Sequence, residues 1–205
     1  MRPESPPVAV GAAPPSGLYE SRFKRFVDLS LAIPLTVLSA PFAIVTALLI
    51  RADDRGPAIF RQERVGRGGA IFIFRKFRTM PVDTASVPSA DAGALHVTRV
   101  GKVLRRTSLD EIPQILSVLK GEMSLVGPRA PLPAQSNLVD LRRANESLRL
   151  RPGLTGLAQV NAFDGMSDEG KAAWDGLYVR TIGFGTDLRI MLRTFGYLLR
   201  KPPQY

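Results

Sequence analysis

The sequence contains no cysteine and a single histidine among its 205 residues. It therefore has no disulfide framework, no thiol nucleophile and no cysteine-based zinc site. With so few nitrogen and sulfur ligands, any metal chemistry has to use oxygen donors, which favours Mg²⁺ or Mn²⁺. Aromatic residues make up only 7% of the chain and do not alternate with basic residues, which argues against binding of single-stranded nucleic acid.

Acidic residues are also scarce relative to basic ones: 18 Asp and Glu stand against 28 Lys and Arg, a formal net charge of +10. Such an excess suits nucleic acid, an anionic membrane surface or a phosphorylated substrate, and charge alone does not choose among them. The length corresponds to one domain of ordinary size, and a hydrophobic content of 45% is enough for a sizeable core.

The first segment, 1–19, is rich in Pro, Ala and Gly, shows no apolar period and is predicted to be a disordered tail. It is not a signal peptide, because no basic region directly precedes an apolar core. Charge is then absent from Leu29 to Ile50, 22 residues that would reach roughly 33 Å as a straight helix, enough to cross a bilayer.

Three features of this uncharged segment argue against a simple crossing. Asp28 stands at its start, Pro34 and Pro41 lie inside it, and basic residues flank both of its ends. Because basic flanks favour the cytoplasmic side, both ends are expected on one face of the membrane. We predict a re-entrant helix-break-helix over 20–52 with its bend near Pro41, and a single-pass anchor is the alternative.

Residues 53–80 alternate between apolar and polar around Gly66–Gly69, a pattern typical of a β-hairpin. Three aromatic side chains are expected to line one side of it: Phe72, Phe74 and Phe77. Cations stand at its end, and they are as well explained by a solvated strand end as by ligand binding: Arg75, Lys76 and Arg78. The polar stretch 81–98 is predicted to be a loop, and its His96 to be incidental.

The acidic pair Asp110-Glu111 offers the clearest chemistry. Cations precede it, and Arg129 follows a Gly-Pro turn downstream. We expect Thr107 or Ser108 to cap a helix whose first turn carries both carboxylates. A helix N-terminus beside arginines binds phosphate, so two carboxylates there suggest a nucleophile that attacks phosphorus or ligands for a divalent cation. An ordinary capped helix, in which acidic residues are favoured anyway, is the alternative.

Two loops rich in glycine or proline follow the acidic pair. The first, 124–135, is expected to fix Arg129 near the site. The second, 150–161, places Arg151, two glycines and Gln159 in another tight loop. Glycines there either allow the backbone to approach a ligand closely or only make turns.

The remaining segments predict helices. Residues 137–149 are typical of a charged surface helix, whereas 178–200 combine an apolar face with a basic one. The latter suits a helix on the membrane surface, and packing against the core explains it equally well. The predicted class is α+β: a membrane segment followed by a mostly helical catalytic domain over 53–201, with a small β-hairpin and amphipathic surface helices.

Taken in order, these segments resemble the bacterial sugar transferases, specifically the small monotopic phosphoglycosyl transferases. The resemblance covers about residues 20–200 and is carried by Asp28, the apolar stretch and three motifs: PAIFRQERVGRGGAIFIFRKFRTM (57–80), GKVLRRTSLDEIPQILSVLKGEMSLVGPR (101–129) and RPGLTGLAQVN (151–161). Larger relatives carry further transmembrane helices before this domain, so the chain resembles the minimal catalytic form. One departure lies at the bend, usually Ser-Pro, where this chain has Ala40-Pro41 with Ser39 one place earlier.

The resemblance implies transfer of a phosphosugar from a nucleotide-diphosphate sugar, such as a UDP-sugar, to polyprenyl (undecaprenyl) phosphate. It further implies release of the nucleoside monophosphate, dependence on Mg²⁺ and a covalent aspartyl-phosphosugar intermediate. Such an enzyme would start glycoconjugate or exopolysaccharide assembly at the cytoplasmic face of the bacterial inner membrane, in contact with anionic lipids and without nucleic acid. A homodimer is left open.

Carried over residue by residue, the resemblance makes Asp110 the nucleophile and Glu111 its neighbour in metal binding or proton handling, with both available to a metal. Substrate phosphates are expected at six side chains: Lys76, Arg78, Arg105, Arg129, Arg151 and Gln159. Two other classes of function stay open. One is a Mg²⁺-dependent membrane phosphatase or hydrolase that uses the same acidic pair, and the other is a non-enzymatic basic module at the membrane surface.

Overall fold

The computed structural model describes residues 17, 19–82, 84, 97–161 and 166–198. Its helices in these ranges are α1 (Lys24–Asp53), α2 (Arg99–Thr107), α3 (Ile115–Lys120), α4 (Ser136–Ala144), α5 (Leu157–Asn161), α6 (Asp168–Thr181) and α7 (Phe184–Leu198). Its strands are β1 (Ile59–Val65), β2 (Ile71–Phe77), β3 (Ser124–Val126) and β4 (Gly153–Thr155). This mixture confirms the predicted α+β class. Nearly all of the predicted tail, and most of the predicted loop 81–98 with His96, lie outside the described residues.

The apolar segment forms a single helix of 30 residues, α1, which contains both Pro34 and Pro41. Its length and composition are sufficient to cross a membrane, which alone is weak support for a membrane location. Only 11% of the most apolar 18-residue stretch of α1 is buried inside the protein, whereas the core helix of a soluble protein is mostly buried. The predicted division into two helices is not confirmed. Ser39 donates to the Thr36 carbonyl at 3.2 Å, and so does not reach the Val37 carbonyl that Pro41 leaves without its usual helical donor.

The first end of α1 is held by the folded domain through buried polar contacts. Lys24 Nζ contacts Asp187 Oδ2 at 2.5 Å, and the Asp28 carboxylate accepts from the Ser124 hydroxyl and the Leu125 amide at 3.0 and 2.9 Å. Asp28 therefore ties α1 directly to β3. Arg25 adds two donations, to the Val118 and Leu119 carbonyls at the end of α3.

The second end of α1 is held by the same domain. Ile50 packs with Phe77 and Leu104 in a small buried cluster. Just beyond, Asp53 Oδ2 accepts from the first turn of α2, and Asp54 pairs with Arg78 at 3.1 Å. Both ends of a long exposed helix therefore contact one domain.

The predicted β-hairpin is confirmed. β1 pairs antiparallel with β2 from Ile59↔Phe77 to Val65↔Ile71, and the turn contains Gly68 at φ 66°, a backbone conformation that favours glycine. The prediction that three phenylalanines share one side was wrong for Phe77. Phe72 and Phe74 pack on the main core, whereas Phe77 joins Ile50 on the other side, because side chains of a strand alternate between faces.

The acidic pair lies on a 3₁₀ helix, Leu109–Gln114, between α2 and α3. The predicted side-chain caps were wrong. Ser108 stands before the first turn in the left-handed conformation and makes no capping hydrogen bond, while Thr107 donates back to the Val103 carbonyl at 2.8 Å. The preceding helix, α2, does have a side-chain cap, because the Thr98 hydroxyl accepts from the Gly101 amide at 3.0 Å.

The charged helix predicted over 137–149 ends early, with α4 followed by a separate 3₁₀ turn at Ser147–Arg149. The segment 178–200 is not one helix either, because α6 ends at Thr181 and α7 begins at Phe184.

Packing against the core explains part of 178–200, and the proposed place on the membrane surface stays a prediction. Tyr178, Val179 and Ile190 are buried in the core. A stripe on α7 remains exposed, and its members follow helical spacing: Phe184, Leu188, Leu192 and Phe195.

Candidate active site

A cavity of about 1070 Å³ brings the acidic pair together with basic and apolar side chains. Asp110 and Glu111 line it, and Asp110 is buried whereas Glu111 is partly exposed. Burial, followed by the neighbouring Glu111 charge, raises the pKa of Asp110 to about 6. Lys76 and Arg105 oppose that rise. Asp110 is thus a carboxylate held away from bulk water and beside two cations.

Lys76 reaches the pair from the end of β2. Its Nζ lies 3.9 Å from Asp110 Oδ2. Burial lowers the pKa of the Lys76 ammonium, while Asp110 and Glu111 act in the opposite direction. An ammonium here can contact both the Asp110 carboxylate and an anion bound beside it.

Arg105 approaches from α2 and is held by Thr79, whose hydroxyl accepts from its Nε at 3.0 Å. Only one guanidinium nitrogen takes part in that bond. The charge acts on Asp110 and lowers the pKa of that carboxyl. The predicted grouping of Lys76 and Arg105 with Asp110 is what the structure shows.

Arg129 completes the basic part of the cavity wall. Its Nη2 lies 3.7 Å from Glu111 Oε1. The side chain is nearly half exposed, so this pair is screened by solvent and contributes little to stability. A guanidinium in that position is available to a phosphate in the cavity.

The glycines around Arg129 serve backbone packing. A Cβ on Gly127 would lie 2.4 Å from the Arg151 carbonyl oxygen, and one on Gly153 would lie 2.1 Å from the Gly127 nitrogen. A Cβ on Gly156 would lie 2.1 Å from the Gly127 oxygen. The three glycines therefore allow the backbone after β3 to pack directly against the backbone of β4, and this packing fixes the loop that carries Arg129. Close packing of two backbone segments is a role that differs from both predicted ones, approach to a ligand and formation of a turn.

The other predicted phosphate ligands differ in position. Arg78 lines the cavity but is buried and ion-paired with Asp54. Arg151 lies away from the acidic pair, with its Nε donating to the Gly121 carbonyl at 2.9 Å. Gln159 lines the cavity, and its Nε2 donates to the Leu154 carbonyl at 3.2 Å.

Sequence reasoning missed several polar residues of the cavity wall, among them Gln62 and Arg64. Both point inward from β1, and Arg64 is buried with its guanidinium 5.1 Å from the centre of the Phe74 ring. Burial and the Arg129 charge lower the pKa of Arg64 to about 10. The available signal was strand alternation: Gln62 and Arg64 share the parity of the inward face, where polar residues are uncommon.

Apolar side chains line the same cavity from two helices. They come from α1 and α7: Leu35, Leu38, Phe42, Met191 and Phe195. Leu35, Leu38, Phe42 and Phe195 also belong to the exposed apolar surface. The cavity therefore joins charged groups to a surface suited to hydrocarbon.

The acidic pair offers two carboxylates that could hold a divalent cation. Among the described residues, no group of three His, Cys, Asp or Glu side chains is gathered for a metal. Mg²⁺ commonly binds through one or two carboxylates together with substrate phosphates, so Asp110 and Glu111 fit that ion when a phosphate is present. Burial is the main cause of the raised pKa of Asp110, and the repulsion by Glu111 that adds to it is what a cation would relieve.

The bacterial sugar transferase family matches residues 19–201. The chain belongs to this family. A Caulobacter vibrioides protein named UDP-glucose:undecaprenyl-phosphate glucose-1-phosphate transferase is 43% identical, across 89% of this chain and 72% of its own length. A Klebsiella pneumoniae protein of the same name is 39% identical, across 84% of this chain and 39% of its own.

A third relative, from Aeromonas hydrophila, is named UDP-N-acetylgalactosamine-undecaprenyl-phosphate N-acetylgalactosaminephosphotransferase and is 36% identical across 93% of this chain and 46% of its own length. The chain thus spans less than half of the Klebsiella and Aeromonas proteins. The family confirms the resemblance and the prediction that the chain is an enzyme, a sugar-phosphate transferase.

Proposed function

We propose that this chain transfers a phosphosugar from a UDP-sugar to undecaprenyl phosphate, through a covalent intermediate on Asp110. The observation that carries the proposal is the joint lining of one cavity by Asp110, by cations and by exposed apolar side chains of α1 and α7. A nucleotide sugar needs the cations, and a polyprenyl phosphate needs both the cations and the apolar surface. The names of the relatives supply the substrate class.

The first half-reaction forms a bond from an Asp110 oxygen to the phosphorus that carries the sugar. The bond from that phosphorus to UMP breaks, and UMP leaves with the electron pair. A pKa of about 6 leaves Asp110 mostly ionised at neutral pH while keeping it more basic than an ordinary aspartate. Lys76, Arg105 and Arg129 stabilise the charge on the transferring phosphoryl group.

In the second half-reaction an oxygen of the lipid phosphate attacks the same phosphorus, and the bond to Asp110 breaks. The product is a polyprenyl diphosphosugar, and Asp110 returns to its starting state. Asp110 and Glu111 would hold Mg²⁺, which neutralises phosphate charge when it is bound. Because the two substrates use the cavity in turn, one carboxylate and one set of cations serve both steps.

Product analysis tests the reaction. Membranes containing the protein are incubated with labelled UDP-sugars, with and without undecaprenyl phosphate and with EDTA as the metal-free control. A transferase releases stoichiometric UMP and makes labelled lipid only when the lipid phosphate is present. Free phosphosugar without added lipid would instead support the hydrolase. Mass spectrometry after UDP-sugar alone should find the phosphosugar adduct on Asp110.

We also propose that α1 enters and leaves the inner membrane on its cytoplasmic face. Asp28 and Asp54 would be about 39 Å apart along a straight helix, which exceeds the thickness of a bilayer core. Both nevertheless contact the same domain, Asp28 at β3 and Asp54 at Arg78. A spanning helix would separate its two ends by the membrane, so these contacts favour re-entry.

Cysteine labelling tests that topology, since the chain has no cysteine of its own. Single replacements at Arg22 and Arg55 are treated in intact cells with an impermeant thiol reagent, and lysed cells provide the control. Protection of both positions supports re-entry, and labelling of position 22 alone means that α1 spans. Replacing Pro41 by Leu should favour the spanning state, because Pro41 cannot complete a regular helix.

The stripe on α7 extends the proposed membrane contact. Phe184 lies 6.2 Å from the Phe23 ring, so the exposed surface of α7 is continuous with the start of α1. We place this surface in the lipid interface, where basic residues near anionic lipids contribute about 1 kcal/mol each.

A further inference from the structure

The loop that carries Arg129 is held at five consecutive backbone carbonyls. Each of the five consecutive carbonyl oxygens from Pro128 to Leu132 accepts a hydrogen bond. The donors come from five places: the Gly153 amide at 2.9 Å, Arg142 Nη1 at 2.6 Å, Arg64 Nη1 at 3.0 Å, the Val65 amide at 2.9 Å and the Gln135 amide at 3.0 Å. Two of these donors are buried guanidinium groups, and they bind the carbonyls of Arg129 itself and of Ala130.

The Arg142 side chain is held in place by Asp175, independently of its contact with the loop. Its Nε and Nη2 lie 2.8 and 2.6 Å from Asp175 Oδ2, and the two side chains are only 4% and 1% exposed. Burial raises the pKa of the Asp175 carboxyl, and the Arg142 charge opposes that rise. The planar fork that satisfies Asp175 leaves Nη1 directed at the Arg129 carbonyl, a geometry that lysine cannot reproduce.

Arg64, on β1, binds the next carbonyl of the loop, that of Ala130. Its Nε and Nη2 donate to Gln62 Oε1 at 3.0 and 2.7 Å, and its Nη1 donates to Ala130. Because the ring of Phe74 lies beneath the guanidinium, Arg64 is held by a face contact as well as by three hydrogen bonds.

These bonds have an electrostatic consequence for the cavity. A carbonyl oxygen carries partial negative charge and would repel a substrate phosphate. Each of the five oxygens from 128 to 132 accepts a hydrogen bond from the framework, and the donor offsets part of that negative charge. The Arg129 guanidinium is then the part of the loop that a phosphate meets.

We infer that Arg142, with Asp175, and Arg64 are positioning residues that orient Arg129 toward the substrate phosphate. The inference rests on the proposed role of Arg129 in phosphate binding. Arg64 also lines the cavity and can touch substrate, so Arg142 provides the cleaner test. Arg143, the next residue of α4, offers a matched control, because its side chain is 63% exposed and pairs with Asp140.

The test compares Arg142→Lys with Arg143→Lys in full-length protein in detergent or nanodiscs, with UDP-glucose and undecaprenyl phosphate as substrates. We expect Arg142→Lys to lower kcat/KM for UDP-glucose by about tenfold or more, a change of about 1.4 kcal/mol in the barrier. Arg143→Lys should remain at the level of the wild type. If Arg142→Lys is unstable, the double variant Arg142→Met with Asp175→Leu removes both buried charges together and usually preserves folding.

Two further measurements separate positioning from general structure. In an Arg129→Ala background, the Arg142 substitution should cause no further loss of kcat/KM, since its effect passes through Arg129. A loss that simply multiplies with that of Arg129→Ala would overturn the inference. Hydrogen exchange should speed up at the Val65 and Gly153 amides in the Arg142 variants, and unchanged exchange would also overturn it. Faster exchange with full activity in Arg129→Ala would sustain the positioning and refute the proposed phosphate contact instead.

Discussion

The ionisation of Asp110 should govern the acid side of the pH profile. Only the ionised carboxylate can attack phosphorus, and burial with the Glu111 charge raises its pKa to about 6. Below that pH the group is protonated and inactive, and above it the reactive fraction increases. The value of kcat/KM should therefore rise with pH through a midpoint near 6, because kcat/KM reports the free enzyme.

Two substitutions should move this midpoint in opposite directions. Lys76 Nζ lies 3.9 Å from Asp110 Oδ2, and a pair at that distance interacts by about 4 kcal/mol at an effective dielectric of 20 and by about 1 kcal/mol in water. Lys76 is partly exposed, so the lower part of that range applies. Lys76→Met should therefore raise the midpoint by about one pH unit or more. Glu111→Gln removes a like charge and should lower it.

The assay is UMP release at subsaturating UDP-glucose from pH 5 to 8.5, with saturating lipid phosphate and constant Mg²⁺ and ionic strength. Both substitutions lower the overall rate, so the position of the curve decides the question and its height does not. Lys102→Met is the matched control, because Lys102 is an exposed cation of α2. A wild-type profile without a rise near pH 6, or movement of both variants in the same direction, would refute Asp110 as the titrating nucleophile.

Three substitutions give further tests. Asp110→Asn should abolish UMP release while retaining the fold, and more than about a tenth of the wild-type rate, under about 1.4 kcal/mol in the barrier, would contradict its role. Arg129→Lys keeps the charge but loses the guanidinium fork, so steady-state kinetics should show kcat/KM reduced by about tenfold, whereas unchanged kinetics would make the residue purely structural. Gly127→Ala would place a Cβ 2.4 Å from the Arg151 oxygen and should lower the thermal midpoint through about 1–3 kcal/mol of overpacking, and Gly185→Ala, with open space around it, should not.

Local patterns in the sequence predicted the parts of the structure that local physics controls. The alternation over 53–80 predicted the hairpin, because side chains of a strand divide between two faces. It did not predict that Phe77 would join Ile50, since that depends on α1 packing behind the hairpin. The acidic pair was predicted at the start of a helix, and its 3₁₀ form follows from the Ser108 turn between two short helices.

Three glycines make a contact that the local sequence pattern does not predict. Gly127 lies in one motif, whereas Gly153 and Gly156 lie together in another. The sequence predicted a turn at Gly127, and either a turn or a close approach to a ligand at the other two. In the folded chain they meet one another, and any side chain there would strike backbone atoms. A contact between segments almost thirty residues apart has no signature in either segment alone.

The sequence pattern also did not predict which arginines are buried. Arg142 stands in a segment that reads as a charged surface helix, yet its side chain is buried against Asp175 of α6. Its neighbour Arg143 is exposed as the sequence suggested. Only helical phase relative to α6 distinguishes the two, and that phase is a property of the packed structure.

The two ends of α1 contact segments that carry different residues of the candidate active site. Asp28 binds β3, which leads directly into the loop of Arg129, whereas Asp54 binds Arg78, two residues beyond Lys76. A displacement of either end would therefore move one set of the proposed phosphate-binding groups relative to Asp110. Side chains from the middle of α1 line the cavity as well, so the helix is part of the candidate active site. An appended membrane anchor would need none of these contacts, which supports the proposal that the apolar helix and the acidic pair form one structure that binds a lipid phosphate at the membrane surface.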